Sequence, residues 1–527
     1  MSKSCWSSVR AARLAAAVSA VALLSACAVT PTPFTAEEFQ SQARSDRQAM
    51  FEGQEALTAP LTLETAMARV LKYNLDRRAK MMEEALSLGQ LDLSRYDLLP
   101  KLAANAGYTG RSEADATRSR DLYTQTTSTS NPTYSADRDA ITADLGMTWN
   151  ILDFGASYYS ATQNADRALI AEERRRRTVQ NLAQEVRFAF WRAAAAQALK
   201  GKVTSIVATA EKALADAERV ERERLRNPTD ALRVQKTLLE SIRQLEAIDQ
   251  ELTSAKAELA ALINLPPGTD FTLAVDQPGQ MAVPDWAVSV DRMEELALVN
   301  NPDLREQVYQ GRISVAETKK EILKLLPGVT LSFSRQYDHN SFLIANHWYE
   351  AGAKLSWNLL NVLSAPDRLD FAEKSEQVAE AKRLALRMAV LAQVHVANHQ
   401  FFSATKQFAR ADKLWGIERR LAQASANQAQ GGTQNEVERI TIETTAIAAE
   451  LRRYQTFAQV QSAYGKMLSI IGQDPVPQQV ASHDIGPLGA ELAGIMPSSE
   501  PAPRVAADDP DADPIFNPLP TRAETAQ

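Results

Sequence analysis

Four groups of residues in this 527-residue chain could do chemistry, and each asks for a different kind. His395 and His399 stand one helical turn apart, a spacing at which two imidazoles can share a metal ion. The glutamate of the zinc-protease helix motif is missing between them and no third ligand is evident, so the pair reads as the polar side of a packed helix. Arg174 to Arg177 follow Glu172-Glu173 and predict a solvated face laced by i,i+4 ion pairs. Cys27 is a thiol placed directly after an apolar run, where it could take an acyl chain. Asp230 and Glu438, 208 residues apart, are carboxylates just beyond Asn227-Pro228 and Gly431-Gly432-Thr433, segments that break helices. No catalytic constellation emerges, so the sequence predicts a non-enzyme without cofactor or resident metal.

The offset of 208 is part of a larger regularity. Asn74-Leu75-Asp76 leads to Leu99-Pro100, and Asn301-Pro302-Asp303 leads to Leu326-Pro327 at the same separation. Trp149-Asn150-Ile151-Leu152 recurs as Trp357-Asn358-Leu359-Leu360, and from there the offset of 208 holds through Val186/Val394, Ala189/Ala397 and Leu262/Ile470. Only the stretch between proline and tryptophan changes length. Two copies of roughly 200 residues are too few and too long for a solenoid. They read as one duplicated unit with a variable loop.

Within each copy the hydrophobic period changes twice. Thr62 and Ser289 are N-caps for helices that break at Asn74 or Asn301 and end before the Leu-Pro pair. Period two then takes over. Leu102, Ala104, Ala106 and Tyr108 alternate with polar or small residues, as do Ile141, Ala143, Leu145, Met147 and Trp149. Val329, Leu331 and Phe333, then Tyr349, Ala351, Ala353 and Leu355, repeat the pattern. Strands are expected at about 101–111, 140–150, 328–337 and 348–358. Strands of about 9–11 residues with one apolar face have the dimensions of membrane-barrel strands, and Leu145, Met147, Leu331, Phe333 and Leu355 would face lipid. The same alternation would also suit two hairpins packed on a soluble core. After each tryptophan comes a long proline-poor segment with apolar residues stepping by 3 and 4: Val179, Leu182, Val186, Ala189 and Ala193, and Val390, Val394, Ala397, Phe401 and Ala404. That spacing marks coiled-coil packing. About seventy residues at 1.5 Å each make a helix of roughly 100 Å. A shorter helix then returns.

The termini differ in kind. Lys3, Arg10 and Arg13 precede the apolar run Leu14 to Leu24, which is too short for a membrane span and has the flanks of a signal peptide. Leu24-Ser25-Ala26-Cys27 resembles a bacterial lipobox, which makes residues 1–26 a lipoprotein signal peptide and Cys27 the acylated start of the mature chain. Ala28 carries no acidic retention signal, as in lipoproteins sent on to the outer membrane. The other cysteine, Cys5, lies in the removed segment, so no disulfide can form within the mature chain. Residues 27–60 read as a lipid-anchored linker, 61–268 and 289–474 as the two repeats, and 269–288 as their connector. The segment 475–527, rich in proline and aspartate, reads as disordered. A net charge of −7 offers no footprint for nucleic acid.

The order helix, Leu-Pro, strand, loop, strand, Trp-Asn-Ile-Leu-Asp-Phe-Gly, long helix, short helix, given twice, resembles the TolC-like outer-membrane efflux family. Asn74/Asn301, Leu99-Pro100/Leu326-Pro327, Trp149 to Gly155 and Leu262 to Gly268 carry the match over about residues 60–475. Asn361-Val362-Leu363-Ser364, where the first copy has Asp153-Phe154-Gly155, departs from it. The resemblance implies a mainly α chain contributing four strands to a twelve-stranded β-barrel and its helices to a trimeric α-barrel tunnel. It implies a homotrimer in outer-membrane lipid, a periplasmic adaptor and an inner-membrane transporter as partners, and export as the function. It also implies an acidic residue at the constricted entrance, which Glu438 matches, with Asp230 its counterpart in the other copy; Asn227, Pro228, Gly431, Gly432 and Thr433 would form the tips that meet the adaptor. Independently of family, four strands leave two edges that lipid cannot satisfy, so several copies must close what one cannot. The non-channel alternative is a periplasmic coiled-coil structural lipoprotein.

Intact-mass analysis of membrane-extracted protein should find residues 1–26 removed and Cys27 acylated; an unmodified Cys27 or a retained Met1 would refute the lipobox reading.

Overall fold

A computed structural model describes residues 31–118, 120–127, 132–225, 227–275, 281–430, 435–475 and 484–495. The chain divides into two compact units, Met1–Gln54 and Glu55–Gln527. In the first, helix α1 (Ala36–Phe51) is started by a reciprocal capping box in which Thr35 and Glu38 satisfy each other's backbone N–H. The segment expected as linker therefore contains a 16-residue helix with no buried residue. Local capping, which composition does not register, makes that difference. Cys27 lies outside the described residues.

The second unit is built twice from the same parts. The first repeat runs α2 (Leu63–Tyr73), α3 (Leu75–Tyr96), β1 (Lys101–Gly110), a loop with a small ribbon of β2 (Ala116–Thr117) and β3 (Thr133–Tyr134), β4 (Asp139–Asn150), α4 (Ile151–Arg222) and α5 (Pro228–Leu262). The second runs α6 (Val290–Asn300), α7 (Pro302–Leu323), β5 (Gly328–Asp338), β6 (His347–Ser356), α8 (Leu359–Leu363), α9 (Ala365–Gln430) and α10 (Glu436–Ile470). Every helix and strand up to the first long strand begins 227 residues before its equivalent, and every one after the loop begins 208 before it. Thr62 and Ser289 cap α2 and α6 as their side chains predict, accepting from the N–H of Thr65 and Arg292.

The long helix α4 packs against α3, α5, α7 and α10, whereas α9 packs against α6, α7 and α10. The α5 seam shows why: Leu238, Leu245, Leu252 and Leu259, seven residues apart, are all buried, with Ile248 and Ala255 between them. This is the a/d pattern of a coiled coil. On α4, Val179, Leu182, Val186, Ala189 and Ala193 face inward, and on α9 so do Val390, Val394, Ala397, Phe401 and Ala404.

Two shorter helices together line one long neighbour, and asparagine joins them. Asn74 accepts the Arg77 N–H through its Oδ1 and donates its Nδ2 to the Leu262 carbonyl at the end of α5, 3.2 Å away. Asn301 accepts from Asp303 and Leu304 and donates to the Ile470 carbonyl at 3.0 Å. One amide thus caps the start of α3 or α7 and satisfies a terminal carbonyl of α5 or α10. Both returning helices close the same way. Leu265 N–H bonds the Ala260 carbonyl and Gln473 N–H the Leu468 carbonyl, the 6→1 bond of a Schellman motif. The left-handed residue is Asn264 (φ 56°) in one copy and Gly472 (φ 71°) in the other. At Gly472 any Cβ would sit 2.2 Å from the Asn300 carbonyl oxygen, so only glycine fits.

Two sequence expectations are corrected. The second long helix is interrupted: α8 ends at Leu363, Ser364 is its C-cap, and α9 restarts at Ala365. Pro366 has no N–H to donate back into that turn. The proline-rich tail also contains helix α11 (Ile485–Ile495), which packs on α2 with Leu488 and Leu492 buried. Their i,i+4 spacing makes a local apolar face that the average composition of 475–527 conceals. The connector contributes to the core as well: Leu61 bridges Leu273, and Phe271, Leu273 and Met281 are buried.

Replacing Asn301 by Ala should cost about 2–3 kcal/mol, a lost cap plus an unsatisfied buried carbonyl. Replacing it by Ser should recover the cap share alone. Chemical denaturation of the purified protein measures both, and equal stability of the Ala and Ser variants would refute the double role.

Candidate functional site

The four long strands form one antiparallel sheet in the order β1-β4-β5-β6. Its register decides which side chains share a face, because directly opposed residues point the same way. Leu102 opposes Met147, Ala104 opposes Leu145 and Tyr108 opposes Ile141. Met147 opposes Phe333 and Trp149 opposes Leu331; Leu331 opposes Ala353 and Val329 opposes Leu355. The five residues expected on a lipid face, Leu145, Met147, Leu331, Phe333 and Leu355, therefore do lie on one face, and all are exposed. The opposite face carries Asn105, Thr142, Asp144, Thr148, Thr330, Ser332, Ser334, Glu350, Lys354 and Ser356. Asn105 donates to Asp144 on it at 3.0 Å.

The apolar face is banded. Trp149 stands at the end next to the helices, and Tyr108, Tyr337 and Tyr349 stand at the loop end. Arg335, the one arginine on this face, lies over the Tyr349 ring at 5.9 Å. About ten residues at roughly 3.4 Å each, tilted by ~45°, give an apolar band near 25 Å tall between aromatic rims, the proportions of an outer-membrane barrel wall. Beyond the strands the two loops are tied together. The Ser341 N–H and hydroxyl both donate to Asp137, holding its carboxyl below the usual range, and Asn340 donates to the Ser135 carbonyl. β1 and β6 are the edges of the sheet.

Along the helices, the arginine run is not a solvated face, contrary to the sequence reading. Arg174 bonds Glu306 on α7 at 2.6 Å, Arg175 bonds Glu84 on α3, Arg176 bonds Glu173 and Asp474, and Arg177 pairs with Asp303 at 3.4 Å. Glu173, nearly buried, also receives Arg305 from α7. Four successive residues sweep most of the way round a helix, so this collar ties α4 to α3, to α7 and to the segment just beyond α10. Apart from Glu173, its partners lie far away in sequence and gave no local signal. Nearer the sheet, Asp166 is buried on α4 with Arg312 at 2.8 Å; burial pushes its carboxyl up and Arg312 draws it partly back. Gln163 donates to the Ile313 carbonyl and to Glu317. His395 bonds Glu294 on α6 at 2.7 Å, and among the described residues no His, Cys, Asp or Glu cluster has the composition of a metal site.

At the far turns Asn227 caps α5 by accepting from Thr229, with Pro228 at the first helical position. Asn435 caps α10; Gly431, Gly432 and Thr433 lie outside the described residues. Asp230 is exposed, 3.9 Å from Arg233 on its own helix. The equivalent of Arg233 in the second copy is Thr441, and Glu438 stands exposed in the first turn of α10 with no ion pair among the described residues. Glu438 thus presents an uncompensated charge where its duplicate does not. Among the described residues no helix is long and apolar enough to cross a membrane.

No protein-family profile matches the sequence, and no curated protein does. Solved structures do. The Campylobacter jejuni CmeC outer membrane channel shares 10% identity at a TM-score of 0.60, over 88% of this chain and 97% of that one. The outer membrane protein VceC from Vibrio cholerae shares 14% at 0.56, over 78% and 96%, and the Neisseria gonorrhoeae MtrE outer membrane channel 16% at 0.54, over 80% and 96%. The chain has the fold of the TolC-like outer-membrane channels, and the resemblance read from its duplicated motifs holds at that level.

Proposed function

We propose that this protein is the outer-membrane duct of a tripartite export system: a passive homotrimeric channel, anchored by lipid at Cys27, whose four strands per copy close into a twelve-stranded barrel. The observation that carries the reading is the two-faced sheet, apolar between aromatic rims on one side and polar on the other, at the end of long coiled helices. A sheet that only covered a soluble core would bury its apolar face; here that face is exposed. Hydrocarbon accepts it, while the polar face lines water. The two strand edges require closure, since unpaired backbone groups in lipid cost several kcal/mol each. The channel fold shared with outer membrane proteins supports the same placement.

The turn ends of α4/α5 and α9/α10 would then lie at the periplasmic mouth, with Asn227, Pro228, Gly431, Gly432 and Thr433 offered to an adaptor that couples the duct to an inner-membrane transporter. Glu438 is the entrance charge, supported by its exposure and by the absence of an ion pair to it among the described residues. Three such carboxylates round a narrow axis attract cations and repel anions. The duct has no chemistry of its own; the transporter selects the cargo.

Two measurements test this reading. Leu145→Arg or Phe333→Arg should cost about 2–4 kcal/mol in barrel stability at mid-bilayer depth, and Thr148→Arg or Ser332→Arg much less; equal damage from both faces in folding titrations into lipid would overturn the lipid assignment. In planar bilayers Glu438→Gln should lower cation preference and weaken block by multivalent cations, with Asp230→Gln doing less. Unaltered selectivity in an assembled Glu438→Gln channel would remove the entrance assignment alone.

A further inference from the structure

Trp348 breaks the rule of its sheet. Along β6 the apolar side chains Tyr349, Ala351, Ala353 and Leu355 take one face, and Trp348 stands on the other, opposite Gln336. Among the strand residues of that polar face it is the one aromatic ring. The register lines up Asn105, Asp144, Gln336 and Trp348 in a single row across all four strands, about 14 Å long at ~4.8 Å per strand. The next row toward the helices holds Ala103, Gly146, Ser334 and Glu350. The ring therefore overlooks small side chains and one carboxylate about 7 Å along its own strand. The next row toward the loops brings Asp338, opposite Thr142.

Charge is sorted along this face. Asp144, Asp338 and Glu350 crowd its loop half around the ring, whereas Lys101 and Lys354 stand toward the helices. None of the three carboxylates has an ion pair among the described residues. Asp144 accepts from Asn105 at 3.0 Å, and Asp338 from the Asn340 N–H at 2.9 Å. The arginines just beyond the strands are engaged elsewhere, Arg111 with Asp115 at 2.5 Å and Arg138 with the Ser112 carbonyl at 3.1 Å. The ring itself is uncovered. On the apolar face Tyr349 stacks on Phe333 and carries Arg335, but among the described residues no ring or cation lies over Trp348, which is 39% exposed.

We propose that Trp348, with Glu350, Asp338 and Asp144, is a binding site inside the duct for organic cations, quaternary and alkylated ammonium groups above all. This rests on the barrel reading above, which turns the polar face toward water. Carboxylates alone gather any cation. An open indole face adds attraction for one that sheds its water easily, and indole is the best of the aromatic rings for it. Such a contact in water is weak, which suits a conduit whose solute must be held enough to enter and loosely enough to leave. The site stands at the opposite end of the long helices from Glu438. Entrance and exit would then both favour positive charge, and only the exit reads whether the cation is organic.

Block of single-channel current by tetrabutylammonium, added on the loop side of the full-length channel in planar bilayers, tests the site. Trp348→Gln, which matches the polar face around it, should raise the concentration for half-block by about five- to thirtyfold, the span of typical cation–π contacts. Trp348→Phe keeps a ring and should raise it less. Block by Mg2+ from the same side, which a ring does not favour, should weaken with Glu350→Gln and not with Trp348→Gln. Equal tetrabutylammonium block of wild type and Trp348→Gln overturns the site, as does a wild-type channel that tetrabutylammonium does not block, whatever the variants do. Parallel loss of both blocks in Trp348→Gln assigns the ring to pore shape and overturns it as well. In each of these cases the duct reading stands; a wild-type chain that forms no channel removes that reading and the site together.

Discussion

An α-helix leaves its last carbonyls without partners, and this fold contains a place where two helix ends must meet against the flank of an uninterrupted third. Asn74 and Asn301 resolve that conflict. Each amide accepts at the start of one helix and donates to the end of another, so α5 with α3, and α10 with α7, act as composite partners for α4 and α9. Without that joint the break would be a hinge beside the core. With it, the sheet and the turn carrying Glu438 are held at opposite ends of the same long helices.

Around that joint, packing and charge divide the labour. The coiled-coil seams of leucine and alanine set which helices touch but leave sliding along the axis weakly determined. The collar of Arg174 to Arg177, with Glu173, Glu84, Glu306, Asp303 and Asp474, opposes sliding, because its guanidinia are fixed to carboxylates on α3, on α7 and just beyond α10. Such partly buried pairs add little net stability, and register is the role best attested for them. The outer flanks of α3 and α9 show the opposite choice, exposed Leu86, Leu93 and Phe371.

The sheet follows a third rule. Its alternation is strict enough that one register places the large apolar strand residues on one side, Trp348 opposite Gln336 being the exception, and a slip of one residue would exchange the faces. Arg335 and Asp139 are charged residues on the apolar face, and both sit near the loop end, Arg335 beside Tyr349 and Asp139 beside Tyr108, where polar groups reach toward polar surroundings.

Much of this was legible in the sequence. The duplication, the Leu-Pro ends, the change from period 3.6 to period 2 and the N-caps Thr62 and Ser289 are local signals, and backbone sterics and hydrogen-bond periodicity turn them into elements directly. The two-faced strands were likewise readable, because a period of two fixes the face without knowledge of the neighbour. What escaped depended on contacts distant along the chain or on short segments within a contrary background. Arg174 to Arg177 look like a solvated run until Glu84, Glu306, Asp303 and Asp474 are brought round them. Leu488 and Leu492 form a helix face only because α2 is there to cover it. The sequence by itself determined the elements, their duplication and the polarity of each face, since those follow from spacing along one chain. Tertiary structure decided which charges are neutralised and which faces remain unpartnered, since those depend on what lies across the gap.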